Sequence, residues 1–216
     1  MQSIKKEVKQ RSEDWFKMRE GRFTASQISR LLGKETLKAT QKSIKAYAHE
    51  KAVESIFGRE PELEYLPKDM QRGVDLEPMA FEKFAEISER DYFTTTKECG
   101  FFPYNDNAGA SPDGLVGDTS ILEIKCPQRA KFFKYVIHGA NEIDLKYMAQ
   151  MQMQMLCTDT SLCYFMNYII HEGREMWHII EVARDEDMIE VIKNRIDLAT
   201  AYKLEYINTI NNNKQF

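Results

Sequence analysis

Short β-like segments are concentrated in the middle of this chain, with helical patterns on both sides. Between residues 99 and 125, short apolar stretches alternate with Asn, Asp, Gly and Pro, which are typical of tight turns. Helix-like apolar spacing occurs at 13–20, 40–57, 70–89, 129–138, 143–156 and from 185 onward, and two more strands are predicted at 161–170 and 175–183. This order predicts an α/β (α+β) fold in which helices flank a mixed central β-sheet.

Individual residues mark several of the predicted helix ends. A hydroxyl residue at 24–26 is expected to start a short helix that ends at Gly33, and Gly58 should end the helix over 40–57. Pro78 lies inside the pattern at 70–89 and predicts a kink or a new first turn. Residues 59–68 contain two prolines and are expected to form a loop.

Length and composition predict one folded, soluble domain. The 216 residues are 43% hydrophobic and 11% aromatic, which is sufficient for a sizeable core. No apolar run approaches the ~20 residues that span a bilayer, and no hydrophobic segment follows the basic N-terminus as in a secretory signal. We expect a cytoplasmic domain over 1–216, with a helical part at about 12–90, a sheet with flanking helices at about 91–183, and a final helix at about 185–210.

Charge is distributed unevenly along the chain. The net charge is −4, but residues 1–51 hold 13 Lys and Arg against 6 Asp and Glu, while the remaining 165 residues hold 17 against 28. A basic first quarter is typical of a surface that faces phosphates, although solvated helix faces often have the same composition.

Two motifs in the predicted sheet carry the chemistry. Ser-Pro-Asp-Gly at 111–114 precedes Glu-Ile-Lys at 123–125. Side chains at i and i+2 of a strand share a face, so Glu123 and Lys125 should project together while Ile124 points into the core. The turn-forming residues between the motifs allow Asp113 and Glu123 to meet on neighbouring strands.

Two adjacent carboxylates repel each other unless a cation lies between them. Mg²⁺ is typically held by one or two carboxylates together with waters and substrate phosphate, and Mn²⁺ is a substitute. A neighbouring lysine can orient or deprotonate the attacking water, or stabilise charge on the phosphate. Each motif alone is also an ordinary turn or strand, but together they predict a metal-dependent phosphodiesterase.

With these motifs the chain resembles the PD-(D/E)XK nuclease superfamily, and within it the phage lambda exonuclease (YqaJ-like viral recombinase) family. Four further segments match the family in order, over about residues 12–183: Trp-Phe-Lys-Met-Arg at 15–19 with Gly21 and Thr-Ala-Ser at 24–26, Gly-Val-Asp-Leu-Glu at 73–77, Lys-Cys-Pro at 125–127, and Tyr-Met-Ala-Gln-Met-Gln at 147–152. The resemblance implies a restriction-endonuclease-like core.

The resemblance also implies a role for each matched catalytic residue. Asp113 and Glu123 would be metal ligands, and the Ile124 carbonyl would complete the protein's share of the coordination shell. Lys125 would act on the nucleophilic water. Glu77 would supply another carboxylate, for a second metal or its water.

Other matched residues would contact the DNA. Gln150 would lie near the metal-bound water or the scissile phosphate. Arg19, Thr24, Ser26 and Ser111 match a pocket for the 5′-phosphate of the DNA end. An arginine fork with hydroxyl groups suits a terminal phosphate dianion.

The implied function is a 5′→3′ exonuclease on linear double-stranded DNA, which releases 5′-mononucleotides and leaves a 3′ single strand for recombination by annealing. The family forms ring-shaped homotrimers, and a single-strand annealing protein is the implied partner. Two alternatives stay open. An endonuclease of the same fold would lack the 5′-phosphate pocket, and a catalytically silent DNA-end-binding scaffold would not need competent residues at every catalytic position.

Two related branches of the superfamily fit less well. The adaptation nucleases carry an iron–sulfur cluster, but the four cysteines here (Cys99, Cys126, Cys157, Cys163) lack such spacing. Helicase-associated nucleases usually have Tyr four residues after the active-site Gln, where this chain has Gln154.

Overall fold

The computed structural model describes residues 8–33, 40–60, 67–90, 95–97 and 100–213. The helices in these ranges are α1 (Glu13–Arg19), α2 (Ser29–Leu32), α3 (Gln41–Phe57), α4 (Lys68–Arg90), α5 (Arg129–His138), α6 (Leu145–Thr158) and α7 (Glu186–Asn212). The strands are β1 (Phe23–Thr24), β2 (Thr95–Lys97), β3 (Phe102–Asn105), β4 (Ala108–Ala110), β5 (Gly114–Val116), β6 (Ser120–Lys125), β7 (Leu162–His171) and β8 (Arg174–Ala183). Short 3-10 helices occupy Ala25–Gln27 and Gly139–Glu142.

The larger sheet is mixed, as predicted. Its described strands have the order β2-β5-β6-β7-β8, with β6 and β7 parallel and the other neighbours antiparallel. A parallel pair needs a crossover connection, and α5 and α6 lie within it. A smaller sheet has the order β1-β4-β3, in which β1 is parallel to β4.

Helices cover both faces of the larger sheet. On one face, Phe81 of α4 belongs to a buried cluster with Leu122 and Ile124 of β6. On the other face, Met151 of α6 belongs to a cluster with Ile121 of β6. The side chains of β6 therefore alternate between the α4 face and the α6 face, as the strand period requires.

A further core joins the beginning of the chain to its end. Phe23 of β1, Leu31 of α2 and Tyr47 of α3 are buried with Ile192 and Ile196 of α7. The N-terminal helices are thereby fixed against the last helix. The organisation as a single domain stays a prediction.

Most predicted elements are present within a few residues. The helices at 40–57, 129–138 and from 185 onward correspond to α3, α5 and α7, and both Gly33 (φ 90°) and Gly58 (φ 81°) follow helix ends in the left-handed region. One continuous helix runs through Pro78, so the expectation of a new first turn there is wrong. Pro78 removes one helix hydrogen bond, but the apolar face of α4 packs against the sheet both before and after it, which keeps the helix continuous.

Other boundaries differ from the prediction. Helix α4 starts at Lys68, one residue inside the predicted loop, and most of that loop (61–66) lies outside the described residues. The start of the predicted strand at 99, which includes Cys99, also lies outside them. The two short strands β1 and β2 are not predicted by the sequence pattern. In the part of the chain that the structure describes, no helix is long and apolar enough to cross a membrane.

Candidate active site

Asp113 lies beside β6 because strand pairing fixes it there. It directly precedes β5, whose Gly114 pairs with Leu122 of β6. The Asp113 backbone N–H donates to the Leu122 carbonyl at 3.0 Å, and Asp113 Oδ2 accepts a hydrogen bond from the Ile124 N–H at 2.7 Å. The structure thus places Asp113 next to Glu123 on neighbouring chain segments, as predicted.

Glu123 is almost fully buried, with 1% of its surface exposed. Its Oε1 accepts a hydrogen bond from Gln150 Nε2 at 2.7 Å and is also paired with Lys125 Nζ. Its Oε2 accepts a hydrogen bond from Gln154 Nε2 at 2.6 Å. Each oxygen of this buried carboxylate therefore has a donor, which offsets the desolvation of its charge.

Neighbouring charges in this cluster shift the protonation of Asp113 and Lys125. Burial and the neighbouring charge of Glu123 raise the pKa of the Asp113 carboxyl well above its usual range, against the opposing effect of Lys125. Burial alone would lower the pKa of Lys125, but the charges of Glu123 and Asp113 outweigh it and the pKa is raised. Lys125 is therefore held in its protonated form.

The raised pKa of Asp113 predicts how the stability of the protein without metal depends on pH. The unfolded carboxyl loses its proton near pH ~3.9, before the folded one does, so the folded state binds more protons above that pH and stability falls as pH rises. In EDTA, wild type should lose thermal stability relative to Asp113→Asn as the pH is raised from 4 to 8, and Mg²⁺ should remove the difference. If the unfolding temperatures of the two proteins differ by the same amount at every pH in this range, the proposed repulsion between Asp113 and Glu123 is contradicted.

The donor set fits a hard cation that needs few protein ligands. The described residues contain no group of three or more His, Cys, Asp and Glu side chains that could hold a metal. Mg²⁺ needs only one or two carboxylates, and Asp113 with Glu123 supplies two. Glu77 lies on α4 and lines the same cleft, but its Oε2 is paired with Arg11 at 3.7 Å.

The predicted phosphate pocket is assembled around the guanidinium of Arg19. Arg19 donates to Ser111 Oγ at 3.5 Å and to Ser26 Oγ at 3.4 Å, and it stacks on the Trp15 ring at 4.0 Å from the ring centre. Trp15 Nε1 also donates to Ser111 Oγ, at 2.9 Å. Thr24 Oγ1 lies 3.3 Å from Ser26 Oγ. Thr24 is buried while Ser26 is exposed, so Ser26 is the hydroxyl that is open to a ligand.

Gly21 sets the course of the chain between Arg19 and the pocket hydroxyls. It has φ +66°, and a Cβ atom added to it would lie 2.2 Å from Ser55 Oγ and 3.3 Å from Ser55 Cα. Gly173, in the β7–β8 turn, has a similar φ of +73° with nothing within 4 Å of an added Cβ. A comparison of alanine variants at these two positions therefore distinguishes the cost of backbone strain from the cost of a steric clash.

Gly21→Ala should lower the free energy of unfolding more than Gly173→Ala. Both variants place a side chain in the left-handed region, at a cost of roughly 1–2 kcal/mol. Gly21→Ala adds overpacking against Ser55, roughly 1–3 kcal/mol more. Urea denaturation measures both changes, and equal losses would show that Ser55 moves away without cost.

The metal-ligand candidates and the phosphate pocket share one cleft of about 1040 Å³. Ser111 and Asp113 are separated by one residue, and Gln154 Nε2 also contacts the Ser111 carbonyl at 3.3 Å. Among the described residues, six cations and four carboxylates line the cleft: Arg11, Arg19, Arg72, Lys125, Lys131 and Lys134, with Glu77, Asp113, Glu123 and Asp144. Cations thus outnumber carboxylates along the cleft, although Lys131 and Lys134 are also paired with Glu142.

Within the described residues of the basic first quarter, Arg11 and Arg19 line this cleft. Arg30, by contrast, makes two hydrogen bonds to Glu50, at 3.1 and 2.7 Å. A phosphate-facing role of the basic N-terminal region stays a prediction, and folding pairs at least one of its charges internally.

Gln154 is a site residue that sequence reasoning missed. It is completely buried and holds the Glu123 oxygen that Gln150 does not contact. Its spacing of four residues from Gln150 was the available signal, because residues at i and i+4 share a helix face.

Residues 14–161 match the model of the YqaJ-like viral recombinase domain. That match covers more than half of the chain. The chain belongs to this family. The family predicted from the sequence is therefore confirmed.

Solved structures show the same fold. An alkaline exonuclease, LHK-Exo from Laribacter hongkongensis, is 28% identical with a TM-score of 0.75, over 93% of this chain and 96% of that one. LHK-Exo in complex with dAMP is 30% identical with a TM-score of 0.74, over 93% and 95%. A phage-related exonuclease from Haemophilus somnus 129PT, at 19% identity, TM-score 0.63 and coverage of 91% and 98%, shares the fold. A search of curated proteins gives no match.

Proposed function

We propose that this family member is a metal-dependent 5′→3′ exonuclease that degrades one strand of linear double-stranded DNA from a 5′-phosphorylated end. The exonuclease function predicted from the sequence is confirmed by the family match and by the two exonuclease structures at 28% and 30% identity. The observation that carries the rest is that one cleft is lined by the carboxylate pair of Asp113 and Glu123 and by the arginine–hydroxyl pocket.

The spacing of the two centres supports release of mononucleotides. Ser111 belongs to the phosphate pocket and Asp113 to the carboxylate pair, and two residues of extended chain span at most about 7 Å. That is comparable with the separation of neighbouring phosphates along one DNA strand. A terminal phosphate held at Arg19 would therefore place the next phosphate at Asp113 and Glu123. The complex of a 30% identical relative with dAMP, a mononucleotide, is in keeping with such a product.

Asp113 and Glu123 would hold Mg²⁺, or Mn²⁺ as a substitute, with the Ile124 carbonyl completing the protein's share of the ligands. The fit rests on two adjacent, largely buried carboxylates that otherwise repel each other. When bound, the metal would polarise the scissile phosphoryl group and lower the pKa of the attacking water. Glu77, in the same cleft, would add a carboxylate for a second metal or its water.

Polar side chains around Glu123 would prepare the site for attack. Without metal, the charges of Glu123 and Asp113 raise the pKa of Lys125. Beside the bound metal, Lys125 would act on the nucleophilic water or stabilise negative charge on the phosphate. Gln150 reaches the outer edge of Glu123 and lines the cleft, where it can orient the water or the phosphate. Gln154 would hold Glu123 in place from the buried side.

Gln154→Leu should lower the turnover rate by about 10- to 100-fold, the usual effect of removing a partner of a metal ligand. The KM for DNA should change little, because Gln154 is completely buried and cannot contact the substrate. Single-turnover digestion of a linear duplex measures the rate.

Gln152→Leu is the matched control for this prediction. Gln152 lies on the same helix and joins the Ala183 carbonyl to the Asp185 N–H, with no contact to Glu123. Its loss should reduce stability rather than the rate of the folded enzyme. Equal rate losses in both variants would remove the positioning role of Gln154.

The proposal extends to recombination and assembly through the resemblance to the family. The single strand that digestion leaves would be bound by an annealing protein, and three copies of this chain would form a ring around the DNA. Light scattering of the purified protein measures the assembly directly. A mass of about three chains supports the ring, and a monomer at working concentration contradicts it.

The function is tested with a linear duplex labelled on one strand, compared with closed circular DNA, in Mg²⁺ and in EDTA. Loss of nucleotides from 5′ ends only, with circular DNA intact and no reaction in EDTA, is the expected result. Cleavage of circular DNA would favour an endonuclease. DNA binding without cleavage in Mg²⁺ or Mn²⁺ would favour a silent end-binding scaffold.

A further inference from the structure

Arg11 adopts a backbone conformation that is uncommon for a residue with a side chain. Its φ is +67°, in the left-handed region that favours glycine. The residues on both sides are anchored. Gln10 Nε2 donates to the Pro112 carbonyl at 2.9 Å, and Ser12 Oγ caps α1 by accepting a hydrogen bond from the Trp15 N–H at 3.3 Å. The anchors on both sides hold Arg11 in this conformation, whose cost is offset elsewhere in the fold.

These anchors direct the Arg11 side chain into the catalytic cleft. Arg11 lines the cleft, together with Glu77 and Asp113. Its guanidinium is 3.7 Å from Glu77 Oε2, and the side chain is 52% exposed. An exposed ion pair of this kind contributes little to stability, so the pair with Glu77 does not account for the strained backbone.

We propose that Arg11 binds a backbone phosphate of the strand being digested, at a second arginine site separate from the 5′-phosphate pocket of Arg19. The planar guanidinium matches phosphate oxygens in a two-pronged geometry. Arg11 also lines a smaller pocket with Glu77 and Asp113, whose lining does not include Arg19, whereas Arg19 contacts Ser111. The two arginines would thus hold the strand on both sides of the carboxylate pair, and Arg11 would exchange Glu77 for phosphate when DNA enters.

This inference rests on the proposed function, since it assumes that DNA occupies the cleft. The contributions of Arg11 and Arg19 to DNA binding should differ in whether they depend on the 5′-phosphate of the DNA end. An internal phosphate is present whether or not the 5′ end is phosphorylated. The Arg11 contribution to binding should therefore be the same for both ends, while the Arg19 contribution should require the terminal phosphate.

The test is the affinity of Arg11→Gly, Arg19→Ala and wild type for a linear duplex with either a 5′-phosphate or a 5′-hydroxyl, in EDTA at several salt concentrations. Arg11→Gly removes the guanidinium and relieves the backbone strain, so its unfolding temperature should not fall. We expect about tenfold or more weaker binding to both duplexes, and a plot of log K against log salt whose slope is smaller by about 0.9. Arg174→Ala, an exposed arginine on the β7–β8 hairpin that does not line the cleft, is the control and should match wild type.

Each other outcome has a distinct meaning. Unchanged affinity and slope in Arg11→Gly would overturn the inference and leave the proposed function intact. A loss confined to the 5′-phosphorylated duplex would place Arg11 in the Arg19 pocket and overturn the separate site. Failure of wild type to bind either duplex in EDTA, together with failure of Asp113→Asn to bind either duplex in Mg²⁺, would overturn the proposed function, and the inference with it.

Discussion

We expect Asp113→Asn to abolish DNA digestion, with a rate at least about 10³-fold lower than that of wild type. The asparagine keeps the shape of the side chain and can still accept the hydrogen bond from the Ile124 N–H, so the hairpin should be preserved. What is lost is one of the two charges that would hold the metal beside Glu123. Binding to linear duplex DNA should stay within about threefold of wild type, because phosphate contacts elsewhere in the cleft position the DNA.

Asp118→Asn is the matched control for this experiment. Asp118 is an exposed carboxylate in the turn of the same β5–β6 hairpin. It does not line the cleft. Its replacement should leave the rate unchanged. Substantial digestion by Asp113→Asn, or an equal loss in both variants, would remove Asp113 from the metal site.

Arg19→Ala is expected to have the second-largest effect, a 10- to 100-fold loss of rate on 5′-phosphorylated ends, as charge-assisted hydrogen bonds of this strength imply. The rate on 5′-hydroxyl ends should change much less, so the preference of wild type for phosphorylated ends should nearly disappear. The reason is that Arg19 joins Ser26 and Ser111 in a pocket that only a terminal phosphate would fill. Competition between the two duplexes in one reaction measures the preference directly.

Two further variants test the geometry of that pocket. Arg19→Lys keeps the charge but not the planar fork, and should recover only part of the preference. Arg59→Ala removes an arginine that stacks on Phe16 but does not line the cleft, and should behave as wild type. An undiminished preference in Arg19→Ala would place the terminal phosphate elsewhere.

The arrangement of Asp113, Glu123 and Lys125 was predictable because its constraints are local. A tight turn between β5 and β6 and the two-residue period of β6 suffice to bring Asp113 to Glu123 and to turn Lys125 toward the same face. Apolar spacing likewise defines α3, α5 and α7, and Gly58 marks the end of α3. Strands of two or three residues, such as β1 and β2, have no period to recognise.

The hydrogen bonds that hold Glu123 in place are not visible in the local sequence pattern. Gln150, Gln152 and Gln154 alternate in the sequence like one face of a strand. On helix α6 they separate, because Gln150 and Gln154 reach Glu123 while Gln152 reaches the start of α7. Only the helical period of 3.6, combined with the position of β6 beneath it, distinguishes these roles.

Ion pairs between residues far apart in the chain are a second feature that the sequence pattern does not show. Arg11 and Glu77 are far apart in the chain and meet only in the folded cleft. The net charge of a sequence segment does not reveal which of its cations are paired, as Arg30 with Glu50 shows. Among the described residues, four of the six cations that line the cleft come from beyond the basic first quarter.

The most direct test of the account is the identity of the first labelled product from a linear duplex whose 5′-phosphate carries the label, in Mg²⁺. The Arg19 pocket and the carboxylate pair line one cleft, and with the terminal phosphate at Arg19 and the next phosphate at the carboxylates we expect a labelled mononucleotide as the earliest product, and no product in EDTA. A labelled dinucleotide or longer fragment, or labelled inorganic phosphate, would contradict the proposed one-nucleotide separation of the two centres.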